Sequence, residues 1–327
     1  MTGLVVLSFV LVPLGALGAA LFAGWMRRAA LGQRIREYGP RLHEAKGGTP
    51  TMGGVVVLAL WALAIPVVAA FRAISLTDLF VLFSGFAFGA IGLLDDWVSL
   101  RHRRSLGLRP TQKILFGTAL SVVLFFAFRP VLDGPLLVPF SDVVLDPPGI
   151  ARFFLVWGVF LAATNSVNLT DGLDGLASGA VLLALLGYVL LVPGLSAVLL
   201  PLCAILLGFL WVNGHPARLF LGDVGAFGLG GALGAVALSS GTPLVLPIFG
   251  GLFAIEMASV ILQIAALKLI GQRIFKISPL HHHFEHAEGI DYRYLLPAVE
   301  WPEEKIVLRL WIVQAVFVAL GLFAASV

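Results

Sequence analysis

Along the chain, long apolar runs alternate with short polar ones. Ten apolar segments stand out, at 3–25, 53–71, 79–95, 113–129, 150–166, 176–192, 195–212, 225–240, 244–268 and 305–326. Most come close to the roughly 20 apolar residues that one helical crossing of a bilayer needs. They lack the alternation of a half-buried strand, and an open sheet edge cannot sit in lipid, so each reads as a helix. The pattern predicts an all-α polytopic membrane protein of about ten transmembrane helices, with 1–327 forming a single integral membrane domain. The glycine-rich run at 225–240 is the shortest. The first run has no basic stretch before it and is too long for the apolar core of a signal peptide, so it is expected to persist as a span.

Composition agrees. The chain is 59% hydrophobic and only 12% charged, with a mean hydropathy of +1.01. Soluble domains carry about 25% charged residues. The single cysteine, Cys203, rules out an internal disulfide. A pI of 9.2 is also common in nucleic-acid binders, but the basic residues are scattered among the loops between spans, so no nucleic-acid partner is expected.

The placement of charge sets an orientation. Taking 26–52, 96–112, 167–175, 213–224 and 269–304 with their adjoining helix ends as one side gathers 18 of the 21 lysines and arginines. Only Arg72, Arg129 and Arg152 fall on the other. The positive-inside rule makes the first set cytoplasmic and puts both termini outside, as an even number of crossings requires. The outer segment 130–149 carries Asp133, Asp142 and Asp146 and no basic residue.

The unusual polar stretches all lie on that inner side: KGGTPTMGG at 46–54, DDW at 95–97, NSVNLTDGLDGLA at 165–177, NGHPARLFLGDVG at 213–225 and SPLHHHFEH at 278–286. A single carboxylate at a helix end is often only a solvated cap. Asp95 and Asp96 resist that reading, because they end an outward-to-inward run, where negative charge opposes the helix dipole. A carboxylate within a span costs about 2.5–3.5 kcal/mol, which argues for a compensating cation. Neighbours on a helix point about 100° apart, so the two can serve different partners.

Asp95, Asp96, Asp171, Asp174 and Asp223 with a histidine cluster suit a hard cation such as Mg²⁺ and phosphoryl transfer. Lys46, Lys113 and the arginines of 101–109 supply positive charge on the same face. No Gly-Lys pair occurs, so there is no Walker A loop. His282 and His286 have the spacing of zinc ligands, but zinc sites make no use of five aspartates in other loops. Three consecutive imidazoles, His281, His282 and His283, serve better as hydrogen-bond donors to an anionic substrate. Glu256, inside the ninth run, fits either a buried functional carboxylate or a helix–helix hydrogen bond. A transporter, the rival class, places its polar groups near the bilayer midplane, commonly in repeated halves, and no internal repeat is visible here.

These residues resemble a known family. GTPTMGG at 48–54, GLLDDW at 92–97, the 107–113 segment, NSVNLTDGLDGLA, NGHPARLFLGD, GQRIFKISPLHHHFE at 271–285 and the last span occur in the order of the phospho-N-acetylmuramoyl-pentapeptide transferases. These are the MraY branch of the polyprenyl-phosphate N-acetylhexosamine-1-phosphate transferases. NLTDGLDGLA, HHHFE and GTPTMGG favour that branch over relatives that use UDP-GlcNAc.

The resemblance implies transfer of phospho-MurNAc-pentapeptide from UDP-MurNAc-pentapeptide to undecaprenyl phosphate, giving lipid I and UMP with Mg²⁺. It also implies a homodimer in the bacterial cytoplasmic membrane, with the active site facing the cytoplasm. By the same resemblance Asp95 activates the lipid phosphate with Asp96 beside it, and Asp223 binds the metal. Asn168, Asp171 and Asp174 belong to the nucleoside region, and Phe220 stacks on uracil. Lys46, Thr51, Lys113, Asn213, Gln263, His281, His282 and His283 fall at other substrate-pocket positions. Direct attack by the lipid phosphate and a covalent phospho-aspartate are both compatible with these residues.

There are departures. Ser99 stands where relatives commonly have lysine, so Lys113 or Arg101 is expected to supply that charge. GDVGAF replaces GDxGSL, putting Ala226 in place of serine. The segment 287–299 is longer than usual, which bears on how the histidine loop closes.

Overall fold

The computed structural model describes residues 2–29, 48–102, 107–287 and 289–326. Twelve α-helices are found among them: α1 (Thr2–Arg28), α2 (Gly54–Phe71), α3 (Leu76–His102), α4 (Pro110–Ala127), α5 (Arg129–Leu132), α6 (Gly149–Thr170), α7 (Leu176–Leu191), α8 (Ser196–Asn213), α9 (Gly222–Ser239), α10 (Leu246–Phe249), α11 (Gly251–Leu269) and α12 (Glu303–Ser326). Nine are long and apolar enough to cross a membrane, and α7 is a shorter apolar helix. A two-stranded antiparallel hairpin, β1 (Leu136–Leu137) with β2 (Val144–Leu145), sits in the outer segment.

One length ranking and two helix ends depart from the pattern. The shortest of the ten apolar helices is α7, at 16 residues, and not the glycine-rich run. Helix α9 gains a turn because Asp223 falls within its first turn, where a carboxylate complements the exposed N–H groups. Helix α7 starts after Gly175, whose φ is +76°, and stops ahead of Pro193. Helix α3 continues to His102, so Asp95 and Asp96 lie roughly two turns before its end and the dipole does not oppose them.

The predicted span at 244–268 is broken at Gly250 into α10 and α11. Buried Gln314 on α12 satisfies the backbone freed there. Its Nε2 donates to the Phe249 carbonyl at 2.7 Å, and its Oε1 accepts the Leu252 N–H at 3.1 Å. A break inside the membrane is tolerated when protein groups take up its unpaired backbone in this way.

Helix α9 is the buried centre of the bundle, with α3 and α6 packed along it. Small residues allow the approach. A Cβ on Gly92 of α3 would lie 2.1 Å from the Asp223 carbonyl oxygen, so only glycine lets the aspartates of α3 reach the start of α9.

Arg72, Arg129 and Arg152 are neutralised locally. Arg72 pairs with buried Asp78 at 2.7 Å, Arg129 with Asp133 at 2.6 Å and Arg152 with Asp146 at 2.5 Å. Arg152, itself buried, also donates to the carbonyls of Leu132 and Gly134. These pairs tie the loops on that side of the spans to their helix ends.

Candidate active site where α3, α4, α6 and α9 meet

Asp95, Asp96 and Asp223 each offer a carboxylate oxygen, all lying within 4.8 Å of one another. Asp95 and Asp96 are buried, and Asp223 is half-buried. The α3 pair diverges as helical geometry requires. Asp95 Oδ1 accepts the Leu108 N–H at 2.7 Å and lies 3.1 Å from Lys113 Nζ. Asp96 Oδ2 instead accepts the Val224 N–H, in the first turn of α9, at 3.0 Å.

Asp223 is held from two further helices. Asn168 Nδ2 on α6 donates to its Oδ1 at 2.7 Å, and Lys113 on α4 donates to its Oδ2. The Lys113 ammonium thus stands between Asp95 and Asp223, with the Phe227 ring 5.4 Å away. Arg101, the other candidate for the missing charge, is exposed on α3. The donor set fits a hard divalent cation, which takes oxygen ligands from one or two carboxylates and leaves positions for phosphate. Three carboxyls meet here and only Asp95 and Asp223 touch the ammonium, so they repel one another in a desolvated setting, and such an ion relieves that repulsion.

A second wall comes from chain crossings. The Phe220 N–H donates to the Pro50 carbonyl, and the N–H groups of Gly53 and Gly54 donate to the carbonyls of Phe220 and Leu221, each at 2.8 Å. This pairing ties the 50–54 turn to the entry of α9. Thr51 is buried and Phe220 half-buried beside Gly222, whose φ is +75°. A Cβ on Gly222 would lie 2.8 Å from Asp96 Oδ2 and 2.9 Å from Thr51 Oγ1. Lys46 lies outside the described residues.

Residues 79–241 match the family model described as Glycosyl transferase family 4. The chain is 42% identical over 317 residues to the phospho-N-acetylmuramoyl-pentapeptide-transferase of Desulforudis audaxviator, covering 91% of this chain and 90% of the relative. It is 38% identical over 310 residues to that of Geobacillus thermodenitrificans (93% and 92%). To that of Bacillus subtilis it is 36% identical over 327 residues (98% and 93%). The chain belongs to the phospho-N-acetylmuramoyl-pentapeptide-transferase family. It is therefore a multi-pass membrane phosphosugar transferase, of a family that generally uses a divalent metal.

Other residues expected at the site fall into two neighbouring groups. The first is a brace. Asp174 is buried and its Oδ2 accepts the Ala217 N–H at 2.9 Å, with His215 Nδ1 at 3.1 Å. The Asp174 N–H donates to Glu303 Oε1 at 2.8 Å, which ties the 171–175 turn to the start of α12. Asn213 spends its amide internally, accepting from Ser178 Oγ at 2.7 Å and donating to the Leu219 carbonyl at 3.0 Å. Both residues shape the loop that presents Phe220. Asp171 caps the end of α6 one turn beyond Asn168, and is half-buried.

The second group is the histidine loop. Gln263 on α11 anchors its base, accepting the N–H groups of Ile274 and Phe275 at 3.0 Å each. His281, His282 and His283 lie in a 3₁₀ turn, Leu280–His283. His282 Nδ1 pairs with Glu285, and His283 Nδ1 accepts the Lys276 N–H at 3.0 Å. Burial, with the Lys276 ammonium nearby, holds the His283 imidazole below the usual histidine range against the opposing Pro297 carbonyl. It is thus a neutral ring near pH 7, acceptor at Nδ1 and donor at Nε2. His286 turns away to Glu300 at 2.7 Å.

Residues 289–299 run back along the loop's base. The N–H groups of Leu295 and Leu296 donate to the carbonyls of Arg273 and Ile274 at 2.9 Å, and Tyr292 Oη donates to the Lys276 carbonyl at 3.0 Å. Trp301 then stacks on Phe284 at 4.8 Å. These contacts brace the histidine turn.

Sequence reasoning missed Leu108, whose N–H holds Asp95, and Phe227 beneath Lys113. Phe227 had a signal in GDVGAF; a backbone N–H has none.

Proposed function

We propose that the protein transfers phospho-MurNAc-pentapeptide from UDP-MurNAc-pentapeptide to undecaprenyl phosphate, releasing UMP and leaving lipid I. The observation that carries this reading is the meeting of Asp95, Asp96 and Asp223 with Lys113 where four spans end. An oxygen of the lipid phosphate attacks the sugar-bearing phosphorus of the donor, that phosphorus parts from UMP, and a new pyrophosphate link joins lipid and sugar. Asp95, Asp96 and Asp223 would hold Mg²⁺, which when bound neutralises phosphate charge.

Lys113 meets the negative charge that builds on the phosphates, and Asn168 fixes the Asp223 carboxylate. Asp95 orients the incoming lipid phosphate, which is already ionised near neutral pH and attacks directly. Phe220 offers its ring to uracil, and the loop braced by Asp174 and Asn213 holds it there. The sequence pattern puts 18 of the 21 lysines and arginines on the site's side of the spans, which supports an active site facing the cytoplasm of a bacterial membrane. The same family reading carries a homodimer.

The alternative donor is UDP-GlcNAc, and the two are separated by comparing kcat/KM for UMP release with each. A preference of at least about 10³ for UDP-MurNAc-pentapeptide is expected, as for a site built to engage groups the smaller donor lacks. Equal use of both, or a preference for UDP-GlcNAc, would overturn the assignment.

A further inference from the structure

Glu256 is a fully buried carboxylate on α11, which otherwise turns apolar residues such as Ile261 and Leu262 outward. Among the described residues its side chain bonds the histidine loop and not a neighbouring membrane-spanning helix. Both its oxygens face the His281 backbone N–H, at 3.1 and 3.3 Å, and its Oε2 lies 3.3 Å from His281 Nδ1. That last approach suits an ion pair but is not aligned for a hydrogen bond. Neither ring nitrogen of His281 has a hydrogen-bond partner among the described residues, although the ring is wholly buried.

The ring is wedged between two elements. On one side is Glu256. On the other is Gly172, where an added Cβ would lie 2.2 Å from His281 Nε2. Gly172 follows directly on α6, whose Asn168 grips Asp223. The His282 ring packs on His281 at 4.1 Å between centroids. A continuous path thus runs from α11 through His281 to the turn beside the acidic cluster.

We propose that Glu256 is a positioning residue: it pins the first histidine of the turn against Gly172, and so sets where His282 and His283 stand for the anionic part of the nucleotide-sugar donor. This rests on the donor-binding reading above. The carboxylate acts through its acceptor oxygens on one backbone N–H, so an amide retains much of the effect and an apolar side chain removes it.

The test compares Glu256→Ala and Glu256→Gln with the unaltered protein in two measurements. Amide exchange over 280–284 without substrate is expected to rise at least about tenfold in Glu256→Ala and to stay within about threefold in Glu256→Gln. The KM for UDP-MurNAc-pentapeptide is expected to rise about tenfold or more in Glu256→Ala, with the KM for undecaprenyl phosphate within about twofold and the glutamine variant near the unaltered value. Gly172→Ala displaces the same ring from the other side with α11 untouched, and should raise the donor KM alike. It carries the test if the alanine variant at 256 does not fold.

Unchanged exchange in Glu256→Ala overturns the proposal, as does an unchanged donor KM despite faster exchange. If the unaltered protein releases no UMP from UDP-MurNAc-pentapeptide, the donor reading falls by itself. The exchange arm, which needs no substrate, then still decides whether Glu256 pins the turn.

Discussion

Asp223→Asn is expected to lower the rate of lipid I formation at least about 10³-fold, a loss of about 4 kcal/mol of transition-state stabilisation. Asp223 is the point where three helices meet: it starts α9, accepts from Asn168 on α6 and pairs with Lys113 on α4. Asparagine has nearly the same shape, and its one remaining oxygen can still accept from Asn168. Its amide group, however, meets Lys113 as a second donor and offers a divalent cation no charge. The resulting mismatch costs about 1–3 kcal/mol of stability, small beside the effect on rate. UMP release and thermal unfolding of the purified variant separate the two. A folded Asp223→Asn protein with a tenth or more of normal activity would remove Asp223 from the reaction.

Asp95→Asn is expected to lower kcat about 10²–10³-fold with a smaller change in donor KM. The fold should survive, because the asparagine oxygen can keep the Leu108 N–H that now ends on Asp95. What is lost is the charge beside Lys113, 3.1 Å away, and with it the balance that receives a second phosphate. That carboxylate is buried and engaged by a backbone donor and an ammonium, which makes it a poor nucleophile. The accompanying expectation is that the unaltered protein shows no burst of UMP when undecaprenyl phosphate is withheld. A burst equal to the enzyme concentration, abolished by Asp95→Asn, would instead establish a covalent phospho-aspartate.

Much of this architecture was written in local pattern. Ten apolar runs gave ten apolar helices, because hydrophobic length is a local property that the bilayer makes decisive. The acidic residues that meet were also visible, since carboxylates are rare in so apolar a chain. What could not be read were arrangements made by distant partners. Helix α3 outruns its apolar stretch because Asp95 and Asp96 find donors at Leu108 and Val224. The break at Gly250 depends on Gln314, far along the chain, and Glu256 finds its use only because the loop at 280–283 folds back to it. Asp174, Asn213 and Gln263 look in sequence like ligand-facing groups, and each also makes hydrogen bonds that hold a loop in place. Side-chain type told where polar work is done, and only the tertiary contacts told which kind.

The measurement that bears most directly on the account follows both products of one reaction. Purified protein in detergent or nanodiscs is given Mg²⁺, undecaprenyl phosphate and UDP-MurNAc-pentapeptide labelled in the sugar, and UMP and lipid-linked label are counted together. The account predicts that the two appear in equal amounts, and that neither forms when the divalent ion is chelated or the lipid is withheld. UMP released without a matching lipid product, or transfer at full rate without a divalent ion, would contradict it.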